Sequence, residues 1–382
     1  MTDTVTNQRP APTTFQRAVQ DVEPLGLTPA GLQSSATLRR RRLAMLALNL
    51  ATLAALAAAL ARLLGIGGWS VTDAAILVAF LVAAPWAVLG FWNAVAGLWL
   101  LHARRDGLAE VAPFAAAAAR SDPLMLRTAV LMTLRNEDPA RAFRRIRAVK
   151  DSIDATGEGV WFDYFVLSDT SDRAVAEAEA ALAEAWAAEI GEPARLTYRR
   201  RASNTGFKAG NIRDFCEHWG ERYELMLPLD ADSVMAGETV VTLARMMQAY
   251  PKLGILQSLV VGMPSRSAFA RIFQFGMRHG MRPYTMGAAW WGGDCGPFWG
   301  HNALVRIAPF RDHCHLPVLP GGAPLGGAVL SHDQVEAVLM RRAGDEVRVL
   351  PVEGGGWEEN PPTIPDYAQR DLRWCLGNLQ YL

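Results

Sequence analysis

Two long stretches without a charged residue, 43–61 and 74–101, limit what this chain can fold into more than any other feature. An apolar run of about 20 residues matches the hydrocarbon thickness of a bilayer. Arg39 to Arg42 precede the first stretch and Arg104 and Arg105 follow the second, while the turn between them carries only Arg62 and Asp73. Basic flanks stay on the cytoplasmic side, so the spacing predicts a transmembrane hairpin with both ends in the cytoplasm. The second stretch is long enough to tilt or bend at Pro85, and Trp69 and Trp99 suit interfacial belts. A pair of buried core helices is the alternative, but two such runs in tandem between arginines favour the membrane. Residues 1–38 are polar and rich in Thr, Pro and Gln, which reads as a disordered cytoplasmic tail. A signal peptide would carry its apolar segment much nearer Met1.

The remainder is the composition of a globular α/β protein. Of 382 residues, 51% are hydrophobic and 20% charged, and 38 basic residues balance 38 acidic ones. Net charge therefore gives no general affinity for nucleic acid. Cys216, Cys295, Cys314 and Cys375 are widely spaced, as in a chain from a reducing compartment. His313-Cys314-His315 has no second ligand pair at zinc-site spacing.

After a linker at 106–122, short apolar runs at 129–134, 160–167, 195–198, 224–229 and 253–261 alternate with helical stretches such as 141–153 and 174–190. This alternation predicts an α/β domain with a largely parallel sheet over 123–382. Ligands bind at the carboxyl ends of such strands, and the polar signals fall there. Leu227-Pro228-Leu229 runs into Asp230-Ala231-Asp232, two acids that can reach one region and hold a divalent cation against a diphosphate. An Asp-rich turn or cap is the bland alternative. Thr133 and Glu137 end the first strand, Ser168-Asp169 the second, and residues 204–211 open a helix with glycines and Lys208. Ser331-His332-Asp333 begins another helical run, where Ser331 could simply cap. Gln369 to Trp374 brings two arginines and an aromatic ring.

In this order the stretches resemble the processive family-2 glycosyltransferases, the cellulose synthase-like group with a GT-A (Rossmann-like) catalytic fold. Residues 204–211, 230–232, 295–302, 330–333, 335–337, 341–344 and 370–378 carry the likeness. The Ser-His-Asp form, where cellulose synthases have Thr-Glu-Asp, is similar to the branch that makes osmoregulated periplasmic glucans. The resemblance implies an inverting glucosyltransferase that moves glucose from UDP-glucose to a growing β-glucan. Thr133, Glu137, Asp169 and Lys208 would bind the nucleotide, and Asp230 and Asp232 would hold UDP through Mg2+ or Mn2+. Asp333 would be the general base. Arg370 and Arg373, on an Arg-Trp loop, would hold the pyrophosphate, while Trp299 and Trp374 would meet the acceptor. It also implies a multi-pass protein of the bacterial inner membrane with its catalytic domain in the cytoplasm, and a periplasmic glucan-modifying partner. The family continues past the Arg-Trp loop with further membrane helices, and no apolar run follows Trp374 here. A cellulose, chitin or hyaluronan synthase is the alternative within the class. Outside it, the alternative is a membrane-tethered UDP-sugar sensor without turnover, which would have no use for Asp333.

Overall fold

The computed structural model describes residues 14–20, 32–119, 122–192, 195–322 and 324–381. Helix α1 (Thr14–Gln20) places Phe15 and Val19, one turn apart, in the core. This corrects the expectation of a disordered tail over 1–38 for its described residues; 1–13 and 21–31 lie outside them.

Helices α2 (Ser35–Leu64) and α3 (Val71–His102) are both long and apolar enough to cross a membrane. They outrun the uncharged stretches because their ends are capped: Ser34 accepts from the Thr37 amide, and Ser70 and Asp73 form a reciprocal capping box. Leu43, Leu56, Val82 and Trp86 point outward. The basic flank is not free. Arg42 donates to Asp294 at 2.5 Å, and Arg41 reaches the carbonyls of Glu110 and Trp290. The expected linker at 106–122 is structured over 107–119 as well. Helix α4 (Gly107–Val111) and the turn Pro113–Ala119 bury Ala112, Phe114 and Ala115.

The α/β part runs β1 (Thr128–Leu134), α5 (Pro139–Asp154), β2 (Phe162–Ser168), α6 (Arg173–Ile190), β3 (Leu196–Arg200), α7 (Phe207–Trp219), β4 (Leu225–Asp230), β5 (Ser233–Met235), α8 (Gly237–Ala249), β6 (Leu253–Ser258) and β7 (Val261–Gly262). It continues with α9 (Ala268–Gly292), β8 (Ala303–Arg306), α10 (Ile307–His313), β9 (Val318–Leu319), β10 (Gly327–Ala328), α11 (His332–Arg342), β11 (Glu346–Leu350), β12 (Gly356–Glu358) and α12 (Ile364–Leu379). Seven strands form one sheet in the order β11-β6-β8-β4-β1-β2-β3. All neighbours are parallel except β8, which runs antiparallel to β4 and β6. The sheet is thus largely parallel, as expected, with β8 as its one antiparallel strand. Register aligns the carboxyl ends: Thr133 pairs with Asp230 on one side and Leu167 on the other. A small sheet β5-β12-β7 stands beside the Asp230–Asp232 turn. The expected Arg-Trp loop is instead helical, part of α12. Thr363 caps that helix by accepting from the Asp366 amide, and Pro365 suits its first turn.

Helix α9 crosses α3 at a contact only glycine allows. A Cβ on Gly97 would lie 1.7 Å from the Pro283 carbonyl oxygen, and one on Gly287 1.9 Å from that of Asn93. The buried Asn93 accepts the Trp291 indole N–H at 2.8 Å. Trp290 and Trp291 therefore serve the junction between hairpin and α/β domain.

Candidate active site

Two cavities open at the carboxyl edge of the sheet and share Asp230, Asp232 and Arg373. One, of about 460 Å³, also takes Trp299, Asp333, Arg370 and Trp374. The other, of about 420 Å³, takes Thr133, Glu137, Asp169 and Lys208. Every residue given a catalytic, nucleotide, metal or acceptor role from the sequence lines one or both.

In the smaller cavity, buried Asp169 accepts both Arg201 nitrogens, Nε at 2.7 Å and Nη2 at 2.8 Å. This two-pronged pair fixes the carboxylate in one orientation. The Thr133 hydroxyl donates to the Leu229 carbonyl at 3.4 Å, and Glu137 accepts from the Arg135 amide. Lys208, in the first turn of α7, donates to Asp230.

The two acids of the β4–β5 turn differ in environment. Burial works to raise the Asp230 carboxyl, but Lys208 and His301 outweigh it and hold it at about 2. Asp232 is pushed upward by burial, by Asp230 and by Glu358. A crowded, oxygen-only pair with one carboxylate short of positive partners fits a hard divalent cation. Among the described residues no three His, Cys, Asp or Glu side chains are arranged to hold a metal by themselves. Diphosphate oxygens and water would have to complete its shell.

Asp333 lies in the first turn of α11. Ser331 stands at the N-cap position, yet its side chain makes no capping bond, so the bland reading of this segment fails at its central contact. Gly300, at φ +78°, brings the parts together: a Cβ there would sit 3.4 Å from Asp333 Cβ, 3.6 Å from His332 Cε1 and 3.7 Å from Lys208 Nζ. The base candidate and the partner of Asp230 are thus held on two sides of one glycine. His332 is turned away to Glu336, Nδ1 to Oε2 at 2.8 Å, with both residues buried. Burial opposes a charged ring there, but the Glu336 carboxylate and its hydrogen bond prevail and raise the His332 pKa.

Helix α12 presents its cations differently. Arg373 reaches both cavities. Arg370 stays in the larger one, 3.6 Å from Glu358 and with its guanidinium carbon 4.4 Å from the Trp374 ring centre. Trp374 keeps 49% of its surface exposed. Trp299 is oriented through its backbone amide, which donates to buried Gln257 at 2.8 Å. Sequence reasoning missed Arg201, His301 and Glu358. Arg201 had a signal, three arginines at the end of a strand. His301 lies within the recognised 295–302 stretch, but its contacts with Ser233 at 3.3 Å and Glu358 at 3.6 Å come from distant segments. His315 turns to the Asp312 carbonyl and Cys314 to that of Glu336, and among the described residues neither joins a metal cluster.

A mixed α/β sheet with paired acids and cations at its carboxyl edge is a glycosyltransferase fold of GT-A type. Residues 225–382 match the family described as glycosyl transferase family group 2, and this part of the chain is a domain of that family. More particularly, the chain is homologous to proteins named glucans biosynthesis glucosyltransferase H. It is 42% identical over 315 residues to that of Xanthomonas campestris pv. campestris (strain B100), covering 82% of this chain and 48% of that protein. It is 40% identical over 346 residues to that of Rhodopseudomonas palustris (strain BisA53), covering 89% and 47%. The chain spans about half the length of these curated relatives. A solved mannosyltransferase from Pyrobaculum calidifontis, in complex with GDP-mannose and Mn2+, is 16% identical over 75% of this chain and 74% of its own, with a TM-score of 0.46.

Proposed function

We propose that this chain transfers glucose from UDP-glucose to a growing β-glucan, with inversion, in the synthesis of osmoregulated periplasmic glucans. The observation that carries the reading is the convergence of Asp230, Asp232, Asp333, Arg370 and Arg373 on one cavity, joined at Asp230, Asp232 and Arg373 to a second that holds Thr133, Glu137, Asp169 and Lys208. Uridine lies in the second cavity, the transferred glucose at the junction, and the acceptor in the first, against Trp299 and Trp374. Asp333 accepts the proton of the acceptor hydroxyl as its oxygen attacks the anomeric carbon and the bond to UDP breaks. Lys208 and Arg373 face the diphosphate, where negative charge gathers in the transition state. Asp230 and Asp232 would hold Mg2+ or Mn2+, which would supply charge neutralisation for the departing UDP.

The hairpin α2–α3 anchors the chain in the bacterial inner membrane with both ends, and so the catalytic domain, in the cytoplasm, as the arginine flanks require. The test is incorporation of label from UDP-[14C]glucose by membranes containing the chain, with linkage analysis of the product. β-Linked glucan, dependent on a divalent cation, is the expected result. UDP-glucose binding without UDP release in the presence of acceptor would replace the transferase reading with a sensor. Incorporation of N-acetylglucosamine or glucuronate in preference to glucose would change the polymer.

A further inference from the structure

The segment leading into Asp333 has little of its own to hold it beyond a short hairpin, in which Gly327 and Ala328 pair with Leu319 and Val318. Residues 320–327 include four glycines and two prolines, a composition with high backbone entropy and few side chains to pack. Among the described residues, the N-terminus of α11 has no side-chain cap, and the Asp333 carboxylate accepts only from the neighbouring Gln334 amide, at 2.9 Å. The further contacts that fix the approach to Asp333 come from the far end of α12. The Gln380 side-chain oxygen accepts the Leu330 N–H at 2.8 Å, and its amide nitrogen donates to the carbonyls of Ala328 at 3.3 Å and Leu325 at 3.4 Å. The Tyr381 hydroxyl donates to the Ser331 carbonyl. Gly377 lets the helix close on this segment, since a Cβ there would stand 2.1 Å from Ser331 Oγ.

Gln380 is seven residues beyond Arg373, about two helical turns or roughly 10 Å along the same rigid rod. One helix therefore carries the cations of the donor site in its middle and clamps the segment before Asp333 with its C-terminal end. We propose that Gln380 is a positioning residue for Asp333: it seats the base through the Leu325–Ser331 backbone and makes that seating depend on the placement of α12. This rests on the reading of Asp333 as the base. The simpler role, ending α12, is filled by the Gln380 backbone N–H, which bonds to the Asn378 carbonyl and leaves the side chain for the clamp.

The test compares the chain with Gln380→Ala and Gln380→Glu in native membranes. It reads kcat and KM for UDP-glucose, UDP affinity, and amide hydrogen exchange over 328–333. Gln380→Ala lowers kcat about 10-fold or more, while KM and UDP affinity stay within about 2-fold. Exchange over 328–333 speeds up by about 10-fold or more. Gln380→Glu keeps the acceptor for Leu330 and falls between the two. Unchanged kcat and exchange in Gln380→Ala would overturn the proposal, as would a kcat loss matched by an equal loss of UDP affinity, which would mean that α12 itself had come apart. Should the unsubstituted chain fail to transfer glucose, the function reading falls, and the exchange measurement still decides whether Gln380 holds the segment.

Discussion

Lys208 donates to Asp230 across the gap between α7 and β4, tying the glycine-rich turn at 204–211 to the first of the two paired acids. The pair counters the burial of Asp230 and leaves Asp232 as the carboxylate with unmatched charge. Lys208→Met should weaken UDP binding by about 10- to 100-fold, the worth of one charge-assisted contact. It should also change the acid limb of stability. A carboxylate lowered to about 2 in the folded state adds stability above its unfolded value and loses it as pH falls toward about 2. Without Lys208 that contribution goes, so the variant should unfold at a higher pH on acid titration. Calorimetric UDP binding and acid unfolding followed by tryptophan fluorescence check both expectations.

Asp333 and Asp232 line the same cavity and should fail differently when made neutral. Asp333→Asn removes the proton acceptor and leaves the donor contacts, so transfer should drop by about 1,000-fold or more while UDP affinity stays within about 2-fold. Asp232→Asn should cut metal-dependent UDP affinity and leave metal-free binding nearly unchanged. It should also make the metal-free protein slightly more stable, because Asp230 and Glu358 no longer crowd a third carboxylate. UDP titrations with and without Mn2+, alongside thermal melts, separate the two. Wild-type turnover in Asp333→Asn would end the mechanism.

His332 and Glu336 form a buried pair behind the base. Burial favours the neutral ring, yet Glu336 wins and the folded-state pKa of His332 lies above its ordinary 6.5. A raised histidine gives stability that is complete below the unfolded value and is lost as pH rises through the folded one. Stability of the chain should therefore decline on the alkaline side of pH 6.5, beyond what its other groups cause. Glu336→Gln should be less stable at pH 6 and should show a flatter profile from pH 6 to 9, measured as the urea midpoint.

Much of this was legible in the sequence, and the exceptions share a cause. β1, β2 and β4 are apolar runs ended by polar residues, and their limits fall within two residues of the expected ones. The residues of the two cavities were found because chemistry at strand ends stands out against apolar strands. β8 and β11 were not found: one has four residues, and the other carries Arg348 buried between Glu346 and Gln33. Their strand character comes from partners far along the chain. Helix α9 was hidden by its arginines, four glycines and Pro283, which make sense only against α3. The loop expected at 369–374 is a helix for the reverse reason, since a family name for a stretch says nothing of its backbone. The Arg201–Asp169, Glu358–Arg370 and Gln380–Leu330 contacts join segments that no local pattern connects.

The crossing of α3 and α9 tests how firmly the hairpin is built into the catalytic part. Gly97 faces backbone, not a side chain that could swing aside: its Cβ would meet the Pro283 carbonyl at 1.7 Å. Gly97→Ala must push the helices apart, pulling Trp291 from Asn93 and loosening the arginine contacts around Trp290. Overpacking of this kind costs about 1–3 kcal/mol, which in a domain this large lowers the melting temperature by a few degrees. Gly276 in the same helix α9 is the control, since a Cβ there has nothing within 4 Å. Gly276→Ala should keep or slightly raise stability, because alanine restricts the unfolded chain and favours the helix. Thermal unfolding in detergent micelles reads both variants. Equal melting temperatures for the two would mean that hairpin and catalytic domain are not packed through Gly97, and the route by which the membrane anchor orients the site would have to be sought elsewhere.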